Sequence, residues 1–127
     1  MGITYRHAPD IEDRIFDIVQ KLGLVHVNLA RVSCIRSRGS KSRYVLARCH
    51  TLTRIFQHAL GIKAHYIIEV ISEKFDSLTP EEQTKTLIHE LMHIPRTFGG
   101  GFKHHDVVNR RAVERMYRKY ARLLQDR

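Results

Sequence analysis

Two histidines four residues apart, with a glutamate directly after the first, form the most chemically distinctive stretch of this chain. His89, Glu90 and His93 lie in the sequence HELMH, an H-E-x-x-H pattern. On a helix these histidines share a face, with Cβ atoms about 5–6 Å apart, so both imidazoles can bind one zinc ion. Glu90 can then take a proton from a metal-bound water molecule. The pattern therefore predicts hydrolysis of a peptide bond.

The alternative is an ordinary amphipathic helix that happens to carry these three residues. Thr79-Pro80 followed by Glu82 is a strong helix start, with a capping threonine, proline at the first position and glutamate three residues after the cap. The apolar residues around the histidines predict a buried helix that excludes water, and they are Leu87, Ile88, Leu91, Met92 and Ile94. Both features favour the metal site.

A catalytic zinc ion usually has three protein ligands and one open position. The helix is expected to end at Pro95, and the three glycines at 99–101 let the chain turn back towards the metal. His104 and His105 follow at once, and we expect only one of the two to bind. This spacing predicts one zinc ion per chain.

Two acidic residues have alternative roles near this site. Asp106 could orient a histidine ligand through its other ring nitrogen, or it could be an acid at the start of the last helix. Glu114 is a weaker alternative as the third ligand.

Length and composition indicate one domain, residues 1–127, in which 43% of the residues are hydrophobic. No stretch approaches a membrane span and the N-terminus lacks the apolar segment of a signal peptide, so we expect a cytoplasmic monomer with no membrane partner. Cys34 and Cys49 are the two cysteines, placed in strands expected to be neighbours. We interpret them as reduced core residues, although a cross-strand disulfide is an alternative.

The net charge of +9 favours an anionic partner, and nucleic acid is the commonest. One basic cluster surrounds a predicted hairpin and contains Arg31, Arg36, Arg38, Lys41, Arg43 and Arg48. The other recurs at helical spacing near the C-terminus and contains Arg111, Arg115, Arg118 and Arg122. We expect contacts of these residues with DNA or RNA phosphates rather than bases, although such a stripe can also be only a solvated face.

The hydrophobic periodicity predicts an α+β domain with the order α-β-β-β-α-α and a small, mostly antiparallel sheet packed on helices. The predicted helices are Asp10–Leu22, Thr79–Ile94 and Val107–Leu124, and the predicted strands are Leu24–Ile35, Tyr44–Cys49 and Ala64–Ile71. The first two strands are expected to form a hairpin, and Leu52–Leu60 is ambiguous.

The segment HELMHIPRTFGGGFKHHD resembles the signature of the SprT-like metallopeptidases of archaea and phages, in the zincin superfamily. In that signature a basic residue, one more position and then a histidine follow the glycine loop, which here puts Lys103 first and His105 third. The resemblance implies a minimal zincin core, a hydrolase of the gluzincin or SprT-like type, zinc ligands His89, His93 and His105, and Glu90 as general base. Members of this broad class degrade proteins crosslinked to DNA.

The leading interpretation is therefore a zinc metallopeptidase, with nucleic-acid-associated proteins as a candidate class of substrate. The alternatives are a non-enzymatic nucleic-acid-binding domain with a structural or vestigial zinc site, and a hydrolase of something other than peptides. Tyr44, Tyr66 and Arg96 are candidates for stabilising the oxyanion. The remaining histidines show no ligand spacing and are interpreted as surface or core residues, namely His7, His26, His50, His58 and His65.

Overall fold

The computed structural model describes residues 2–125 and shows a four-stranded mixed sheet and five α-helices. The strands are β1 (Thr4–His7), β2 (Val32–Arg38), β3 (Ala47–Thr51) and β4 (Tyr66–Ile71). The helices are α1 (Pro9–Leu22), α2 (Arg54–Leu60), α3 (Ser72–Phe75), α4 (Pro80–Met92) and α5 (Arg110–Gln125), with a 3-10 turn at Leu29–Arg31. The predicted α+β class is confirmed, and the arrangement is consistent with a minimal zincin-like core.

The helix that carries the HELMH sequence begins as its local sequence predicts. Thr79 accepts a hydrogen bond from the backbone N–H of Glu82, and the Glu82 carboxylate accepts one from the Thr79 N–H. This capping box, with Pro80 at the first helical position, satisfies backbone donors that a helix otherwise leaves unpaired. The helix ends within the HELMH sequence, where His93 is the C-cap residue.

The sheet and three helices share one core. From the sheet come Tyr66, Ile68, Val70 and Cys34, and from the helices come Ile11, Ile15, Ile18, Leu87, Ile88, Leu91 and Val113. Helix α4 lies across the face of the sheet and contacts both β3 and α5. The buried face of α4 therefore fixes the direction in which its histidines project.

The predicted hairpin is wrong. The strand order is β1-β2-β4-β3, so β4 lies between β2 and β3, parallel to β2 and antiparallel to β3. Five of the six residues of β4 are buried, which is typical of a strand with neighbours on both sides and covered faces. A nearly continuous apolar strand buries most apolar surface in the central position of the sheet. The free energy of that burial outweighs the pairing of strands that are neighbours in sequence.

Strand β1 was missed and several predicted bounds were wrong. All four residues of β1 are exposed, so its sequence carries no apolar alternation, and its backbone pairs with β2 from Thr4 to His7. The strand predicted from Leu24 begins only at Val32, because Asn28 accepts a hydrogen bond from the Ala30 N–H and caps a 3-10 turn. The ambiguous segment forms α2.

The first basic cluster is also not the surface that the sequence suggested. The guanidinium group of Arg36 bonds the carboxylates of Asp10 and Asp76 at 2.6 and 2.9 Å. Arg48 lies 3.7 Å from the buried carboxylate of Glu69. Because β2 and β3 are separated by β4, the members of this cluster do not share a hairpin.

No helix among residues 2–125 has the length and apolar character that crossing a membrane would require.

The two cysteines are free and lie on strands that flank β4 rather than on neighbours, so the expected adjacency was wrong. Cys34 and Cys49 are both in register with Ile68, which places them two strand spacings apart, roughly 10 Å. A disulfide needs Cα atoms within about 7 Å.

We therefore predict that the folded protein forms no internal disulfide under mild oxidation. Mass spectrometry after alkylation in denaturant should find two free thiols per chain, as in a reduced control. An internal disulfide formed in the folded state would contradict the strand order.

Candidate metal centre

Helix α4 brings three predicted site residues together because of its regular spacing. The imidazole rings of His89 and His93 project from one face, with centroids 5.0 Å apart. His93 is buried, His89 is partly buried, and the side chain of Glu90 lies at the base of the same cleft with an exposed fraction of 5%.

The chain after Pro95 returns one of the two adjacent histidines to this helix. The ring of His105 lies 5.3 Å from that of His89 and 4.9 Å from that of His93. The potential ligand atoms of the three residues all lie within 4.8 Å of one another, and the Nε2 atoms of His89 and His105 are 3.3 Å apart. Among residues 2–125, this is the group of histidine, cysteine or acidic side chains that could hold a metal ion.

His104 is outside this group, and its ring packs against the edge of Phe102 at 5.6 Å. The geometry thus separates two adjacent histidines that the spacing of the sequence alone left open. The binding of metal by His105 stays a prediction.

A backbone carbonyl orients one of the three rings. Nδ1 of His93 hydrogen-bonds the carbonyl oxygen of Lys103, and the Lys103 N–H donates to the carbonyl oxygen of His93 at 2.8 Å. Since Nδ1 carries the proton that it donates to this carbonyl, Nε2 is left with a free lone pair. The ring of Phe102 stacks on His93 at 4.4 Å and limits its rotation. Such support is common around histidine ligands.

The surroundings favour the neutral form of His89 and His93. Burial, together with smaller effects of the neighbouring His93 and His105, lowers the pKa of His89 to about 4. Burial is also the main cause of a lowered pKa at His93. Neutral imidazole is the form that binds a metal ion, so no proton must be removed at pH 7. Three imidazole rings with their ligand atoms in mutual reach are a donor set that fits a transition-metal ion of the kind imidazole binds.

Glu90 has the opposite perturbation. Burial raises the pKa of its carboxyl group to about 8, and a backbone hydrogen bond from Cys49 opposes this shift only in part. A neighbouring cation would favour the ionised form and lower the pKa again. The carboxyl group is therefore placed where its protonation depends on what occupies the cleft.

The group opens into a cleft of about 940 Å³. One wall is the segment from Tyr44 to His50, which includes most of the edge strand β3, and the other is formed by α4 and the start of α5. Lys85 spans that second wall, with its ammonium group 2.7 Å from the Glu114 carboxylate and 3.4 Å from that of Glu81. The three histidines line the same cleft.

The other sequence candidates fall in different places. Tyr44 is 87% exposed at the mouth of the cleft, whereas Arg96 is exposed outside it. Tyr66 is fully buried, and its hydroxyl group bonds the backbone of the glycine loop, so it does not face a substrate. The carboxylate of Glu114 bonds Lys85 and is not part of the histidine group.

Asp106 fits neither of its two predicted roles. Its carboxylate accepts a hydrogen bond from the adjacent N–H of Val107, and no bond to a histidine is found within residues 2–125. The last helix begins at Arg110 rather than Val107, because Asn109 accepts a hydrogen bond from the Ala112 N–H and acts as its cap.

Sequence reasoning missed Phe102 and the carbonyl oxygen of Lys103. The carbonyl has no signal in a sequence, because every residue carries one. Phe102 is an apolar residue between a glycine run and two histidines, and this placement was its only signal.

The geometry predicts that His105→Ala weakens metal affinity by more than about 100-fold, since supporting residues alone typically account for 10–100-fold. His104→Ala is the matched control, and it should change affinity by less than about threefold. Competition with a chromophoric chelator measures both dissociation constants. Equal losses, or a larger loss for His104→Ala, would reject His105 as the ligand.

Comparison with known proteins gives one result that extends over nearly the whole chain. Residues 3–126 match the model of a family described as "Putative phage metallopeptidase". No significant match is found among curated proteins or among solved structures. The matched segment contains the three histidines, Glu90 and every strand and helix of the fold. The chain therefore belongs to the phage metallopeptidase family.

Proposed function

We propose that this protein is a zinc-dependent peptidase in which His89, His93 and His105 hold the metal and Glu90 is the general base. The observation that carries the proposal is a buried carboxyl group lining the same cleft as three histidines whose ligand atoms lie within 4.8 Å of one another. Metallopeptidases combine these components, and the family match supports the same class of reaction.

Each residue has a definite task in this proposal. When bound, zinc supplies Lewis-acid chemistry, which polarises a carbonyl group and makes water more acidic. The carboxylate of Glu90 accepts the proton of the attacking water and then donates it to the nitrogen of the leaving amine. The low exposure of Glu90 excludes competing water from that proton transfer.

The edge of the sheet supports a peptide rather than another hydrolysable substrate. Strand β3 is the last strand in the order β1-β2-β4-β3, and its residues from Ala47 to His50 line the cleft. An extended peptide can add to such an edge through backbone hydrogen bonds, which do not require a particular sequence. The histidines lie in the same cleft, so the bound backbone would pass the reactive groups.

The alternative of a structural zinc site is less well supported. A structural zinc ion normally has four protein ligands, and the group found among residues 2–125 supplies three. His104 is not a fourth member. A purely structural site also has no use for a buried carboxyl group such as that of Glu90.

We extend the proposal to a SprT-like type of peptidase. The sequence order of HELMH, Pro95, a glycine loop, Lys103 and His105 supports this closer relation. Among the classes of substrate, proteins associated with nucleic acid fit the net charge of +9.

The decisive substitution is Glu90→Gln, which is expected to retain one equivalent of zinc and the fold but to lose at least about 99% of the peptidase activity. Glutamine cannot accept the proton of water, and losses of general-base catalysis are typically 100-fold to 10,000-fold. Cleavage of fluorescent casein and elemental analysis measure the two properties.

Glu12→Gln, an exposed acid on α1, is the control and should cleave at the wild-type rate. Wild-type cleavage by Glu90→Gln would show that another base operates. Failure of the wild-type protein to bind zinc would end the proposal.

We also propose that Arg111, Arg115, Arg118 and Arg122 contact the phosphates of DNA or RNA. All four are exposed, and their spacing puts them on one side of α5, opposite the buried Val113 and Tyr120. Within the first basic cluster, Arg36 and Arg48 are engaged with carboxylates, so α5 is the better candidate surface.

Replacing these four arginines with glutamine should weaken binding of single- and double-stranded DNA about equally for all sequences. It should also flatten the dependence of affinity on salt, because fewer counterions are released. Fluorescence anisotropy at several salt concentrations measures both effects.

The matched control replaces the exposed Arg6, Arg54, Lys63 and Arg96 with glutamine, which lowers the net charge from +9 to +5, the same four charges. Equal losses in both variants would show that net charge alone drives binding. No binding by the wild-type protein at low salt would reject the nucleic-acid partner.

A further inference from the structure

The glycine loop that leads to His105 is fastened to a part of the chain far away in sequence. The three successive carbonyl oxygens of residues 99–101 accept hydrogen bonds, in order, from the side chains of Gln57, Thr51 and Tyr66, at 3.0, 2.8 and 2.8 Å. These donors come from α2, the end of β3 and the start of β4. The loop therefore rests in a cradle formed by the segment from Thr51 to Tyr66.

Tyr66 is the central residue of this cradle. Its hydroxyl group donates to the carbonyl oxygen of Gly101 and accepts from the N–H of Gly100 at 3.1 Å, so it bonds two adjacent residues of the loop. The side chain has no exposed surface, and its ring packs against that of Phe98 at 4.9 Å. A buried hydroxyl group with both of its roles filled fixes the loop in one position.

The fit at Gly100 leaves no room for a side chain. Its φ angle is +102°, a conformation that favours glycine, and a Cβ atom there would lie 2.4 Å from Nε2 of Gln57 and 2.7 Å from the carbonyl oxygen of Leu52. The polar Gln57 points inward to this loop, while Ile55 and Phe56 on the same helix are exposed. Helix α2 is thus oriented by its contact with the loop rather than by burial of its apolar side chains.

Beyond the cradle, the chain has little freedom before the third histidine. Lys103 is bonded to His93 through both its N–H and its carbonyl oxygen. Gly101, four residues before His105, is bonded to Tyr66, and Lys103, two residues before it, is bonded to His93. Glycine has more backbone freedom than any other residue, so without anchors a loop of three glycines would allow His105 many positions.

We propose that Tyr66 is a positioning residue for the metal centre, acting through the glycine loop on His105, with Thr51 and Gln57 in supporting roles. This inference rests on the proposed metal site. It assigns to the buried tyrosine the task of keeping the third imidazole within reach of the other two.

Tyr66→Phe removes the hydroxyl group and keeps the ring against Phe98. We expect zinc affinity to fall by about tenfold, the range typical of residues that orient a ligand. The absorption spectrum of the cobalt-substituted protein should also change, because a loosely held third ligand alters the coordination geometry. Tyr120→Phe is the matched control, since Tyr120 is a buried tyrosine whose hydroxyl group bonds Asp17, remote from the loop.

A double-mutant cycle separates positioning from a general loss of stability. If Tyr66 acts through His105, Tyr66→Phe should weaken zinc affinity by less than about twofold in a His105→Ala background, because the ligand that it positions is already gone. A tenfold loss in both backgrounds would overturn the proposal, and so would wild-type affinity in Tyr66→Phe. Thr51→Val, which removes the bond to Gly100 with little change of shape, gives the same test if Tyr66→Phe does not fold.

The outcomes also distinguish this inference from the proposed function. If the wild-type protein binds zinc and His105→Ala weakens binding, but Tyr66→Phe and Thr51→Val do not, the metal site stands and the positioning role is rejected. If the wild-type protein binds no zinc, both are rejected together.

Discussion

The close approach of three imidazole rings is the constraint on which the rest of this structure depends. Their ring centroids lie within 5.3 Å of one another, and two protonated rings would repel each other at such a distance. Burial keeps the pKa of His89 at about 4, well below neutral pH. The apolar side of α4, packed on the sheet, creates that burial. The core and the candidate metal centre therefore lie on two faces of the same helix, α4.

Two buried glutamates differ in how well their surroundings stabilise the ionised carboxylate. Glu69 and Glu90 are each 5% exposed. Burial alone would raise the pKa of Glu69, but hydrogen bonds to neighbouring side chains, His50 among them, and the nearby Arg48 lower it overall. The pKa of Glu90 rises to about 8, because a single backbone hydrogen bond does not offset its burial. A buried carboxyl group with a strongly raised pKa in a cleft is a common feature of catalytic sites.

The errors in the predicted fold have one physical origin. A hairpin is inferred from strands that are neighbours in sequence. The order of strands in the sheet is instead set by which strand buries the most apolar surface in the central position. Strand β4 is apolar at five of six positions and takes the centre, and this separates β2 from β3. Strand β1 has no apolar pattern at all and is held by backbone pairing to β2. Neither effect is visible in a window of a few residues.

The sequence by itself determined helix α4, which carries the HELMH residues. Its capping box, its proline and its apolar face are all local, so the start of α4 and the shared face of His89 and His93 follow from residues 79–93 alone. The presence of a metal-binding pattern, and the need for a third ligand after the glycines, are equally local. The family resemblance favoured His105 over His104, but the spacing of the residues did not separate them. In the folded chain the direction of each side chain depends on where the glycine loop is anchored. That anchor is formed by Thr51, Gln57 and Tyr66, more than thirty residues earlier in the chain for each bond. Glycine permits many paths and specifies none, so the contacts across the fold decided which histidine reaches the site.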